Sequence, residues 1–115
     1  MSKFRYQYPN EKLMVAIDVM ATTEGSLRDR IHSGWMSFHT LQAKDFDGEL
    51  KSKFVELHDA LTAAGPVMSG EDVAVGSVQN TLTHASDEEV RRIADMIASL
   101  YFGVAREHYG AMGTI

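Results

Sequence analysis

The chain reads as all-α: a compact small helical bundle of about five helical segments that assembles as an oligomer. Three observations lead there. Apolar residues recur at helical spacing through most of the chain, and helix-start and helix-stop residues punctuate those runs. Strand-like alternation competes only in the N-terminal arm and between Val73 and Val78. A chain of 115 residues supports one core. Its expected parts are an aromatic arm over 1–9, a helical domain over 10–108 and a flexible tail over 109–115.

The arm carries Phe4, Tyr6 and Tyr8 alternating with Lys3, Arg5 and Gln7, a pattern compatible with extended backbone. Pro9-Asn10-Glu11 suits a helix start, because proline fits the first turn and glutamate the positive end. Leu13, Ala16, Ile17 and Met20 then form one apolar stripe. Met14, Val15 and Val19 add a second apolar face, wider than one core needs, which points to burial between subunits. In the next helix Leu27, Ile31, Trp35, Phe38 and Leu41 continue at helical spacing. Gly34 costs that helix about 1 kcal/mol against alanine, a cost that fits a close helix–helix crossing. Asp45 to Leu50 is a corner with capping acids, followed by Phe54, Leu57 and Leu61, and Gly65-Pro66 stops the run. Ser69 and Asp72 resemble a capping pair, so Val73, Val75, Val78 and Leu82 read as a weak fourth helix. Ser86-Asp87-Glu88-Glu89 caps the last helix, whose buried face holds Val90, Ile93, Ile97, Leu100, Tyr101 and Val104.

The chemistry concentrates at the corner between the first two helices, Ala21 to Arg30. Thr22 or Thr23 can cap the second helix, and Gly25 allows close approach by a backbone or ligand. Amide hydrogens at a helix start attract anions, and Arg28 and Arg30 follow within about a turn and a half. Hydroxyls, free amides and two guanidiniums suit a small phosphate-bearing ligand. The alternative is a capped helix start with solvated charges.

A net charge of −5 argues against a nucleic-acid polymer, which needs a basic face, but not against a small anion held by local cations. No apolar run nears the roughly 18 residues that span a bilayer, so no membrane role and a cytoplasmic location are expected. With no cysteine, disulfides and thiolate metal sites are excluded. His32 and His39 stand too far apart along one helix for the usual paired ligation, so no metal and no cofactor are expected. No P-loop, nucleophile elbow or HExxH motif occurs, and the chain reads as a binder rather than an enzyme.

The order of these features resembles a known family. The aromatic arm and apolar first helix precede a corner with Ala21-Thr22, Gly25 and Arg30. Asp45-Phe46 with Glu49-Leu50, Leu61-Thr62 and an acidic-capped last helix follow. Together they resemble the phage anti-CBASS cyclic-oligonucleotide sponges over roughly residues 6–105. The resemblance implies a homohexamer in the host cytoplasm that binds cyclic di- and trinucleotides without cleaving them and so silences bacterial anti-phage signalling. By position it implies base stacking on Tyr8 or Tyr6 and phosphate contacts from Thr22, Thr23, Arg28 and Arg30. A second pocket would draw on Arg91 or Arg92. The corner itself, Ala21 to Arg30, holds no lysine, so any basic role there falls to arginine. The competing reading is a helical oligomeric interaction or structural protein of phage origin without a small-molecule ligand.

The second apolar face of the first helix generates a test. Light scattering at micromolar concentration should give a particle larger than a monomer. Val15→Glu or Val19→Glu should shift it downward and Lys51→Glu should not; a monomeric parent would remove the intersubunit pocket.

Overall fold

The computed structural model describes residues 3–111 and 113. Five helices carry the fold: α1 Gln7–Thr22, α2 Leu27–Phe38, α3 Gly48–Leu61, α4 Ser77–His84 and α5 Asp87–Ala111. A 3₁₀ turn, Ala43–Asp45, leads into α3, and an antiparallel pair of strands, β1 Val67–Ser69 and β2 Asp72–Val75, separates α3 from α4. The fold is therefore mainly helical with one small hairpin.

Each helix buries the stripe its sequence marks. Leu13, Ala16 and Met20 come from α1, Ile31 and Phe38 from α2, and Phe54, Leu57 and Leu61 from α3. Val78 and Leu82 come from α4, while α5 supplies Val90, Ile93, Ile97, Leu100 and Val104. Burying one such side chain contributes about 1.5–3 kcal/mol, so this shared core is the main source of stability. Phe46 stacks on Phe54 with centroids 4.7 Å apart, and Trp35 meets Phe38 edge-on at 5.1 Å. On the outer side of α1, Met14 and Val15 remain exposed and Val19 is half-buried.

Four local expectations are corrected. The arm does not run extended: residues 3–6 form a turn, and α1 starts at Gln7, two residues before Pro9. Tyr6 holds that turn in place, because its ring is buried beside Phe46 and its hydroxyl accepts the Asp47 amide at 3.0 Å. Ser26, rather than Thr22 or Thr23, caps α2 by accepting the Asp29 amide at 3.1 Å. The stretch from Ser69 is a hairpin and only Ser77 onward is helical. Gly70, with φ of +63°, makes the first turn position, and β-branched Val67, Val73 and Val75 favour the flanking strands. At the far end α5 continues through Tyr109 and Gly110 to Ala111; residues 112, 114 and 115 of the expected tail, like 1 and 2 of the arm, lie outside the described residues.

The crossing of α1 and α2 is as tight as Gly34 suggests. A Cβ added there would lie 2.9 Å from Met20 Cγ, 3.2 Å from its Sδ and 3.4 Å from the Ala16 carbonyl oxygen. Overpacking costs about 1–3 kcal/mol, against about 1 kcal/mol gained in helix propensity. Gly34→Ala should therefore lower the denaturant midpoint by the equivalent of about 1 kcal/mol. An unchanged or raised midpoint would show that Met20 moves aside freely.

Candidate functional site

The α1–α2 corner turns its cations inward. Arg30 Nη1 donates to the Met20 carbonyl at 2.8 Å and Nε to the Gly25 carbonyl at 3.2 Å, closing the end of α1. Arg28 reaches the other way, where Nη1 donates to the carbonyls of Leu82 and Ala85 and Nη2 pairs with Asp87 at 2.8 Å. That guanidinium therefore joins the start of α2 to the end of α4 and the start of α5. Arg28 does not lie outside the structural framework, as its position off the apolar stripe suggests. It meets part of the need for donors at the last carbonyls of α4.

Two hydroxyls of the corner, those of Thr22 and Ser26, are also locally engaged. Thr22 Oγ1 donates to the Asp18 carbonyl at 2.8 Å, and Thr23, following α1, uses its amide on the Val19 carbonyl. An open cavity of about 260 Å³ lies beside the corner, lined by Ser26, Arg28, Asp29, His32, Gln79, Leu82 and Thr83. Asp29 and the nearby Asp87 offset the positive charge of Arg28 there. Arg91 and Arg92 are exposed on the first turns of α5, and Arg92 lies 3.8 Å from Glu89. The positive charge of Arg91 reaches Asp87, so the fold brings Arg28, Asp87 and Arg91 to one corner while Arg30 serves another.

Tyr8 is different. It stands on the first turn of α1, 42% exposed. Its hydroxyl shares a 2.6 Å hydrogen bond with Thr40 Oγ1, and the Lys12 ammonium sits 5.5 Å from its ring centroid. Lys12 follows Tyr8 by four residues and becomes its neighbour because α1 begins at Gln7, so an arm read as extended does not reveal the pair. Thr40, 32 positions away, becomes a partner only through the α1–α2 packing. No protein-family model matches the chain, and neither does any curated protein or solved structure.

Arg28 also sets a pH dependence. Its hydrogen bond, and then its charge, hold the Asp87 carboxyl below the ordinary aspartate range. A depressed carboxyl stabilises the fold above its unfolded-state value, and that contribution is lost as pH falls through the folded-state one. Asp87→Asn should be less stable than the parent near pH 7, and the gap should close below about pH 4. Arg28→Met deprives two carbonyls of a donor and should cost about 1–3 kcal/mol in chemical denaturation. Parent-like melting of Arg28→Met would dismiss the clamp.

Proposed function

We propose that this protein binds and sequesters cyclic oligonucleotide second messengers without cleaving them, and so blocks bacterial anti-phage signalling. The observation that carries the reading is the Tyr8–Lys12 pair on α1. A base stacked on an aromatic ring contributes about 1–3 kcal/mol, and an ammonium beside the ring is placed to meet the phosphate on the ribose of that nucleotide. The bond from the Tyr8 hydroxyl to Thr40 fixes the ring orientation before any ligand arrives. Exposed Met14 and Val15 on the same helix supply an apolar surface for a second protomer, in keeping with a pocket between subunits.

In this reading the arginines of the corner hold the fold, and the ligand contacts move to Tyr8, Lys12 and Thr40. The second reading, an interaction or structural protein without a small-molecule ligand, draws on the same exposed residues of α1. It also draws on Met68 and Val73, paired on the exposed hairpin.

One experiment separates the readings. The purified protein is incubated with a panel of cyclic di- and trinucleotides, washed, denatured, and the released nucleotide identified by mass. Sequestration predicts intact recovery of at least one member. Hydrolysed product would mean an enzyme, and no retention would favour the interaction protein. Tyr8→Ala and Lys12→Ala should each weaken the retained nucleotide by about tenfold or more. Their stability should fall by no more than the about 0.5–1.5 kcal/mol of one hydrogen bond. Normal binding by both variants would place the pocket elsewhere.

A further inference from the structure

The α3–α5 contact carries a second arrangement, away from Tyr8. The two helices approach closely at Gly103, where an added Cβ would lie 2.7 Å from Leu50 Cδ2. That approach lets Lys53 reach from α3 to α5, its Nζ donating to Ser99 Oγ at 3.4 Å. Asp95, Ser99, Phe102 and Arg106 succeed one another along α5 at steps of four, three and four, so they share one outward face. These four and Lys53 line an open cavity of about 360 Å³.

Two features of this trough suit an anionic ligand with an aromatic base. Among the described residues neither Lys53 nor Arg106 has a carboxylate within ion-pair distance, whereas Arg5, Arg28 and Arg92 each do. Phe102 lies on α5 between Ser99, which Lys53 reaches, and Arg106, and is 61% exposed, although nothing in the helical core requires a phenylalanine there. Two cations and one acid leave the trough net positive in a chain of net charge −5.

We propose that this trough is a binding site for a nucleoside monophosphate. Lys53 Nζ and the Arg106 guanidinium take the phosphate, the Phe102 ring takes the base, and Asp95 accepts from a base amino group or a ribose hydroxyl. Two cations match the charge of one phosphate. A longer phosphate chain would extend into the adjoining cavity, which shares Lys53 and Arg106 but adds Glu49 and Glu107, and like charge would oppose it. The trough thus selects a monophosphate over a triphosphate.

The test is a calorimetric titration of the full chain with adenosine 5′-monophosphate, with adenosine, inorganic phosphate and adenosine triphosphate as separate arms. The monophosphate should bind saturably, adenosine and phosphate each more weakly, and the triphosphate no more tightly. Phe102→Ala, Lys53→Met and Arg106→Met should each weaken binding by about tenfold or more. All three positions lie at the surface, and parent-like thermal melting checks that each variant is folded. Tyr8→Ala should leave this binding unchanged, so its outcome is independent of the cyclic-oligonucleotide reading. The site is refuted if the parent shows no saturable heat with the monophosphate, if the three folded variants bind like the parent, or if inorganic phosphate alone binds as tightly.

Discussion

Main-chain carbonyls at three corners of this bundle depend on arginine for hydrogen bonds. Arg5 donates to the carbonyls of Lys44 and Asp45 and grips the Asp47 carboxylate; Arg28 donates to Leu82 and Ala85 and grips Asp87. Arg30 donates to Met20 and Gly25. Helix ends leave their last carbonyls without intrahelical partners, and a planar guanidinium can serve two of them at once. The helices themselves are set by apolar stripes, but the angles at which the chain leaves one and enters the next are fixed by these clamps.

The Arg5 clamp illustrates the coupling between corner and core. Its bond to Asp47 holds that carboxyl below the ordinary aspartate range and raises the guanidinium in turn. The same turn of chain delivers Tyr6, whose hydroxyl accepts the Asp47 amide while its ring packs beside Phe46. Asp47 precedes α3 but makes no side-chain cap there, because its carboxylate is engaged by Arg5. An N-terminal segment too short to fold alone is thereby anchored by one aromatic ring and one guanidinium.

This use of arginine redistributes the charge open to a ligand. A guanidinium that already serves two carbonyls and a carboxylate has few donors left for phosphate, and its charge is partly compensated. Lysines 12 and 53 and Arg106 sit instead beside an aromatic ring or in an open trough, outside any ion pair among the described residues. Both proposed contacts with nucleotides follow from that division.

The sequence by itself determined which face each helix buries. The stripe from Val90 to Val104 is legible because helical periodicity is a local property, and Gly34 marks a crossing because glycine weakens a helix, although only the fold brings Met20 and Ala16 against it. The hairpin was only half legible. Val73 and Val75 suit a strand as well as a helix, and the two-residue turn at Gly70-Glu71, whose glycine takes a positive φ, decides between them. The candidate sites were least legible. Tyr8 and Lys12 are neighbours by helical spacing, but Thr40 joins them from 32 positions away, and Arg28 finds Asp87 across 59. Lys53 meets Ser99 only because two helices close on Gly103. Periodicity reports what a side chain turns toward the core, whereas the partner of a charged group is whatever the returning chain brings within about 3 Å, and tertiary packing alone decides that.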